Sequence, residues 1–206
     1  PVTQEFEEIL GVSPEIIKFL DLINVIELAT ENKDIKGINL KTQSPKMGWS
    51  QALTIRKSLQ RFKDEGKFIY TYGDFFSQKG YYLASVSDSI FLNPMGNIEL
   101  RGLGAEVLYY KELQEKYGFK MEVIRHGKYK SAVEPFLQNK MSDENKAQIS
   151  SLLNDIWSVI KEEISISRNL SENAIDKLAS NNNFSISQNA LNTGLIDDLV
   201  YEDVFD

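Results

Sequence analysis

The sequence predicts an α/β domain in which a small, mostly parallel sheet is covered by helices. Three observations favour this fold class. Apolar residues recur at helical spacing over several long stretches, short runs rich in β-branched and aromatic residues lie between them, and the two kinds of segment alternate along most of the chain. Such alternation is typical of parallel sheets, because each parallel connection has to cross the sheet. We therefore expect residues 1–206 to form a single α/β domain.

The first predicted element is a helix at residues 12–37. Ser13 suits its N-cap, and Leu20, Ile23 and Leu28 form part of its apolar face. The next elements are a strand at 37–42, a helix at 49–67, a strand at 68–73, a buried helix at 74–89, and strands at 90–93 and 97–100 on either side of a turn.

Four apolar residues of the helix at 49–67 are expected to face the core: Ala52, Ile55, Leu59 and Phe62. In the buried helix that follows the second strand, we interpret Tyr81 and Tyr82 as core aromatic residues.

The second half of the chain is predicted to be mainly helical. A helix at 106–118 and a strand at 120–127 precede a long helix at 141–170, for which Ser142 is a suitable N-cap. Two short helical segments and a final stretch from residue 194 complete the chain.

The composition excludes several classes of function. The net charge is −7 with a sequence pI near 4.9, and no basic stripe runs along a predicted element, so we expect no nucleic-acid partner. The absence of cysteine excludes disulfides and a cysteine nucleophile. His126 is the one histidine, which excludes a zinc site built from several histidines.

The chain contains no apolar run that approaches the ~20 residues of a membrane span, and no signal peptide at its start. It begins with Pro1 instead of methionine. We therefore expect an excised part of a longer protein, itself soluble, whose membrane anchor and first strand lie outside it.

Cationic side chains are concentrated in the segment 125–136, RHGKYKSAVEPF. A surface lysine is usually solvated, whereas a lysine that acts as a general base needs a pKa about three units below its reference value of about 10.4. Desolvation or a neighbouring cation lowers the pKa of a lysine in this way. Tyr129 and Phe136 could desolvate Lys130, and Arg125 and Lys128 supply like charge.

Ser131 directly follows Lys130, but the two residues do not suggest a catalytic pair. Side chains of adjacent residues point to opposite sides of a strand and lie about 100° apart on a helix, so they seldom meet. If Lys130 is a base, we expect its serine to come from elsewhere.

The stretch GKYKSAVEPF resembles the lysine motif of the signal peptide peptidase A family, also called protease IV, whose members are serine proteases with a Ser–Lys dyad. Two further stretches resemble this family and the broader Clp protease/crotonase superfamily: KGYYLASVSDSIFLNPMGNIELRGL and SISQNALNTGLIDDL. The resemblance covers nearly the whole chain and implies a Clp protease/crotonase-like α/β fold.

Long members of that family are tandem repeats in which an N-terminal half carries the lysine and a C-terminal half the serine. By this resemblance the chain is a lysine half, and Lys130 is its catalytic residue. Gly127, Tyr129, Ser131 and Glu134 belong to the same motif and are supporting or binding candidates. Glu134 could orient the lysine segment, and a helix-capping or surface role remains an alternative.

The chain departs from the serine half at two places. Aligned on Gly80 and Tyr81, the position of the nucleophile is Gln78, which cannot form an alkoxide; Ser77 is one residue away and is interpreted as a bystander. The serine half also has a loop with a sequence similar to SPGG, and this loop donates N–H groups to the oxyanion. Residues 44–48 here read Ser-Pro-Lys-Met-Gly.

The resemblance implies a peptidase that degrades cleaved signal peptides at the bacterial inner membrane, with its catalytic part facing the periplasm or the outside. It implies no metal or organic cofactor. The implied partners are peptide substrates, the serine-bearing half and further copies in a homo-oligomer. Two alternatives remain open: a non-catalytic interaction or scaffold domain of the same superfamily, and a crotonase-like enzyme acting on acyl thioesters.

Overall fold

In the part of the chain that the structure describes, four parallel strands form a sheet with the order β1-β2-β3-β4, which confirms the predicted fold class. The computed structural model describes residues 18–119, 121–122, 131–181 and 187–205. The strands are β1 (Gly37–Leu40), β2 (Phe68–Phe76), β3 (Ser89–Ile98) and β4 (Asp198–Leu199).

Helices connect the strands and cover the sheet. In chain order they are α1 (Phe19–Glu31), α2 (Trp49–Asp64), α3 (Gln78–Ala84), α4 (Lys111–Tyr117), α5 (Glu134–Leu137), α6 (Asp143–Arg168), α7 (Glu172–Asn181), α8 (Ser187–Asn192) and α9 (Glu202–Phe205), with a 3-10 turn at Ser131–Val133 before α5. Among the residues that the structure describes, no helix is both long and apolar enough to cross a membrane.

The hydrophobic core lies between the sheet and the helices α2, α3, α6 and α8. The four residues of α2 that the sequence places inward are all buried, and so are Tyr81 and Tyr82 in α3. Both predictions are confirmed. The physical reason is that a helix with one apolar stripe can remove that stripe from water only by facing the sheet.

The prediction for the apolar face of α1 is wrong at two positions. Leu20 and Leu28 are exposed, and the buried residue of this helix is Ile26. The helix carries more apolar residues than one face can hold, so contact with α2 selects which of them are covered. The predicted cap at Ser13 lies outside the described residues.

Residues 74–76 belong to a strand and not to the predicted helix. A register irregularity after Gly73 lets Phe75 pair with Asn97 and Phe76 with Ile98, so β2 continues past its predicted end. The helix α3 begins only at Gln78. On β3, the predicted strands at 90–93 and 97–100 are one strand with that irregularity.

The prediction of a helix at 106–118 is correct only for its second half, because α4 begins at Lys111. The N–H of Tyr110 donates to the carbonyl oxygen of Pro135 at 2.7 Å, and the rings of Tyr110 and Phe136 stack at 5.6 Å. These tertiary contacts accompany the non-helical conformation before Lys111. The predicted strand at 120–127 lies outside the described residues, except for Met121 and Glu122, which have no regular structure.

The prediction of the long helix α6 and of its N-cap is confirmed. The Oγ of Ser142 accepts a hydrogen bond from the N–H of Asn145 at 3.2 Å. The C-terminal end of α6 is bound to the residue that precedes β4, because Arg168 forms an ion pair of 2.9 Å with Asp197. Asp197 in turn accepts from the N–H of Ile90 at 2.8 Å.

A buried polar cluster attaches α6 to α2 and α3. Arg56 is 4% exposed, its Nε lies 2.7 Å from the carboxylate of Glu163, and it also donates to the carbonyl oxygen of Tyr82. The hydroxyl of Tyr82 donates to the same carboxylate at 2.6 Å. Burial lowers the pKa of Arg56 and raises the pKa of Tyr82. Each charge and hydroxyl has a partner, which a buried polar cluster requires.

Candidate active site

The carboxyl edge of the sheet brings together three connections: the loop 41–48 after β1, the start of α3 after β2, and residues 99–103 after β3. The N–H of Ser77 donates to the carbonyl oxygen of Gln43 at 2.8 Å. The N–H of Glu99 donates to the carbonyl oxygen of Phe76 at 2.7 Å. Ligands of open parallel α/β sheets bind outside this edge, because the loops there are free to carry functional groups. We therefore take it as the candidate site.

Gln78, the residue that the sequence analysis aligns with the nucleophile of the serine half, is held by two hydrogen bonds. Its side-chain amide donates to the carbonyl oxygen of Gly102 at 2.9 Å, and its side-chain oxygen accepts from the N–H of Arg101 at 2.8 Å. The side chain therefore acts as a bridge between α3 and the connection after β3. A carboxamide held in this way offers no nucleophile.

Ser77 is the N-cap of α3. Its side-chain oxygen accepts a hydrogen bond from the N–H of Gly80 at 3.2 Å. This contact satisfies one of the N–H groups that the first turn of a helix leaves without an intrahelical partner. The structure thus gives Ser77 a capping role.

Gly80 allows α3 to approach the loop after β1. A Cβ at this position would lie 2.2 Å from the carbonyl oxygen of Gln43 and 2.6 Å from that of Thr42. Both atoms are backbone atoms, so a larger residue would separate the helix from the loop. The close approach of α3 to residues 42 and 43 lets the connections after β1 and β2 pack directly against each other.

Two N–H groups of the loop at residues 44–48 are hydrogen-bonded within the protein, one inside the loop and one to α2. The N–H of Met47 donates to the carbonyl oxygen of Pro45 at 3.2 Å, and the N–H of Gly48 donates to the side chain of Gln51 at 2.9 Å. Lys79 additionally binds the carbonyl oxygen of Met47 at 2.6 Å. An oxyanion hole needs N–H groups that point at the reacting oxygen, and neither of these two is free to do so.

The lysine motif lies partly outside the described residues. Gly127, Tyr129 and Lys130 are among those not described, so the structure leaves their predicted roles as predictions. Ser131 is the first residue of the 3-10 turn that follows. Glu134 begins α5 and is 9% exposed, which excludes a surface role for it.

The carboxylate of Glu134 is bound by the first turn of α6. It accepts hydrogen bonds from the Oγ of Ser142 at 2.6 Å, from the N–H of Ser142 at 3.3 Å and from the Nδ2 of Asn145 at 3.0 Å. A negative charge at a helix N-terminus is favourable, because the helix dipole and the unpaired N–H groups both attract it. Glu134 thus anchors the segment that follows Lys130 to the longest helix.

Sequence reasoning did not identify Asn145 as a partner of Glu134. The only signal was its position three residues after the cap Ser142, where a polar residue could reach back towards the cap. Tyr81, close to the candidate site in sequence, donates its hydroxyl to the carbonyl oxygen of Leu195 at 2.8 Å, and burial raises its pKa. The hydroxyl of Tyr81 is therefore held as a hydrogen-bond donor to the C-terminal part of the chain.

The described part of the chain contains no group of three or more acidic or histidine side chains that could hold a metal ion.

The sequence matches one family model and several known proteins. The family described as "Peptidase family S49" matches residues 61–205. "Protease 4" of Haemophilus influenzae is 38% identical over 163 residues, which are 79% of this chain and 26% of the relative. "Serine protease SPPA, chloroplastic" of Arabidopsis thaliana is 30% identical over 169 residues, which are 82% of this chain and 25% of the relative.

"Putative signal peptide peptidase SppA" of Enterococcus faecium is 29% identical over 178 residues, which are 85% of this chain and 51% of the relative. The chain thus spans about a quarter of the length of the Haemophilus and Arabidopsis relatives and about half of that of the Enterococcus relative.

Proposed function

This chain belongs to peptidase family S49, and we propose that it is the lysine-bearing unit of a serine-type endopeptidase that degrades cleaved signal peptides. Lys130 is the general base, and the nucleophilic serine belongs to a second α/β unit. The names of the relatives support this reading, since they include a serine protease and a signal peptide peptidase.

The observation that carries the proposal is the position of Gln78. At the position that the resemblance assigns to the nucleophile of the serine half, this unit has a carboxamide that is hydrogen-bonded to Arg101 and Gly102. The neighbouring Ser77 is used as a helix cap. A unit with the lysine motif and without a serine at this position can contribute a base, and it requires a nucleophile from outside.

The length of the relatives supports a second unit. The matched part of the chain covers only 26% of the Haemophilus relative, which leaves room for another domain of similar size. We place the assembled enzyme as a homo-oligomer at the bacterial inner membrane, with its catalytic part facing the periplasm or the outside, where cleaved signal peptides are its substrates.

In the proposed mechanism, the neutral amine of Lys130 takes the hydroxyl proton of the serine while the serine oxygen attacks the carbonyl carbon of the peptide. The tetrahedral intermediate then collapses: the C–N bond breaks, and the lysine ammonium returns the proton to the leaving amine. An ester on the serine remains. Water then attacks the ester carbonyl carbon while the neutral lysine accepts a proton from it. The C–O bond to the serine breaks, the lysine ammonium returns the proton to the serine oxygen, and the new carboxyl terminus of the peptide leaves.

Peptidase assays on the full-length protein test this role with a matched pair of variants. Lys130→Ala should lower kcat/KM by about 10²–10⁴-fold, which is the usual contribution of a general base. Lys128→Ala removes a charge two residues away in the same motif and should change kcat/KM only a few-fold. Circular dichroism should show that both variants are folded.

Equal losses from the two substitutions would mean that the segment acts through its charge and not through one base. Unchanged turnover in Lys130→Ala would favour the alternative of a non-catalytic interaction domain.

A further inference from the structure

The helix α4 buries a carboxamide instead of an apolar side chain. Gln114 is 6% exposed and is the buried residue of this helix, whereas its neighbour Leu113 is 46% exposed. Removing an amide from water costs free energy unless its N–H and C=O groups find hydrogen-bond partners. The burial of Gln114 therefore indicates that its side chain has a specific hydrogen-bonding role.

The two ends of this carboxamide bind two separate parts of the chain. Its Nε2 donates to the carbonyl oxygen of Phe136 at 2.9 Å, and its Oε1 accepts from the N–H of Met121 at 2.9 Å. Phe136 belongs to α5, and the last carbonyl groups of a helix have no partner within the helix. A carboxamide can make both bonds because it carries a donor and an acceptor.

The two partners of Gln114 lie on opposite sides of Lys130 in the chain. Met121 is nine residues before this lysine, and Phe136 is six residues after it. Lys130 is itself outside the described residues, whereas Gln114 and both of its partners are within them. One side chain of α4 thus binds the chain on both sides of the lysine.

The helix α5 determines where the lysine is attached. Lys130 is covalently joined to Ser131, the first residue of the 3-10 turn that leads directly into α5. Consecutive Cα atoms are about 3.8 Å apart, so a displacement of the turn and α5 displaces the attachment point of the lysine as well.

Contacts from two other helices hold α5 in place. Short helices are marginally stable by themselves, and α5 has four residues. Its position therefore depends on tertiary contacts. The carboxylate of Glu134 binds it to the start of α6, and the carboxamide of Gln114 binds it to α4. The stacked rings of Tyr110 and Phe136 add an apolar contact on the side of α4.

We propose that Gln114 is a positioning residue for the general base. Its carboxamide fixes α5 against α4 and so sets the place at which the lysine is attached. The inference rests on the proposed function and adds a residue to it. Because a reacting group that is misplaced by about 1 Å can lower the rate by about 10²-fold, the loss of these bonds should act on the chemical step and not on substrate binding.

Steady-state peptidase kinetics of the full-length protein test the role with a matched pair of variants. Gln114→Glu keeps the length of the side chain and can accept from Met121, but an ionised carboxylate cannot donate to Phe136. We expect kcat to fall by about 10–100-fold, with KM changed less than about twofold. Gln138→Glu makes the same substitution at an exposed residue beside α5 and should change neither constant.

A second variant removes both hydrogen bonds without adding a charge. Gln114→Met has an unbranched side chain of similar length and no carboxamide, so it preserves the packing of α4. We expect kcat to fall in the same range, about 10–100-fold, and the circular dichroism spectrum to stay unchanged. Hydrogen exchange of residues 131–137 should accelerate in both Gln114 variants and not in Gln138→Glu.

A double-mutant cycle with Lys130→Ala separates positioning of the base from a merely structural role. If Gln114 acts through the lysine, Gln114→Glu should lower the residual rate of Lys130→Ala by less than about twofold, because the coupled residue is already absent. A structural role would lower this residual rate by the same factor as in the unaltered protein.

The inference would be overturned by an unchanged kcat in both Gln114 variants, by an equal loss in Gln138→Glu, or by a full further loss in the Lys130→Ala background. Failure of the proposed function is recognised separately, because Lys130→Ala would then keep its full turnover. Loss of turnover in Lys130→Ala together with normal kcat in the Gln114 variants refutes the inference alone.

Discussion

The Oγ of Ser142 donates a hydrogen bond of 2.6 Å to the carboxylate of Glu134 and at the same time accepts one from the N–H of Asn145. One hydroxyl thus caps α6 and binds the residue that begins α5. This contact joins the C-terminal part of the lysine motif to the start of α6.

Replacing Glu134 should loosen that segment. Glu134→Ala leaves Ser142 and Asn145 without their carboxylate partner, so we expect the free energy of unfolding to fall by about 1–3 kcal/mol and hydrogen exchange of residues 131–137 to accelerate. Glu144→Ala, at an exposed residue in the first turn of the same helix, is the control and should change neither. Equal exchange in the two variants would show that Glu134 does not order this segment.

Placing a serine at position 78 should not produce a peptidase. In the isolated chain, which we expect to be inactive, Gln78→Ser removes the bonds to Gly102 and Arg101 and should lower the free energy of unfolding by about 1–2 kcal/mol. Turnover of a fluorogenic peptide should stay absent, because the N–H groups of Met47 and Gly48 remain engaged. Turnover that depends on Lys130 would contradict the division of the dyad between two units.

Two arginine–glutamate pairs of α2 should differ greatly in their effect on stability. Arg56 pairs with Glu163 in the interior, whereas the pair of Arg61 with Glu27 is exposed. Arg56→Leu removes the guanidinium from the Glu163 carboxylate, which then keeps the Tyr82 hydroxyl as a donor but has lost its countercharge. The substitution should lower the free energy of unfolding by about 3–5 kcal/mol.

Arg61→Leu is the matched control, with an expected change below about 1 kcal/mol. Urea unfolding measures the free energy of unfolding of both variants. Similar values for the two variants would show that the buried cluster is not what holds α6 to α2.

Asp176 should give the stability of the protein a dependence on acid pH. Lys161 donates to its carboxylate at 2.8 Å and Trp157 at 3.0 Å, and these bonds hold the pKa of Asp176 below its usual value. Because the unfolded-state pKa is about 3.9, the contact stabilises the protein above about pH 4. The contribution is lost as the pH falls through the lower folded-state pKa.

Asp176→Asn should therefore lower the free energy of unfolding at pH 7, by up to about 1 kcal/mol, and the difference from the unaltered protein should shrink below pH 4. Tryptophan fluorescence follows the unfolding, and Asp155→Asn, at an exposed residue of α6, is the control. A difference that stays constant down to pH 2 would exclude this ion pair as its origin.

The sequence by itself determined the class of the fold and the inward face of α2. These features are local: a stripe of apolar residues at helical spacing has one way to leave water, and Ser142 caps a helix wherever the helix packs. The motif around Lys130 was also visible in the sequence, because it depends on residue identity alone. The role of Lys130 remains a prediction.

Only the tertiary structure decided which residues share a surface. The continuation of β2 to Phe76 depends on pairing with β3, and the late start of α4 coincides with a contact of Tyr110 with Pro135. Arg56 in an amphipathic helix looks like a surface residue until Glu163, 107 positions later, is placed beside it. Such contacts join residues far apart in sequence, so no local pattern contains them.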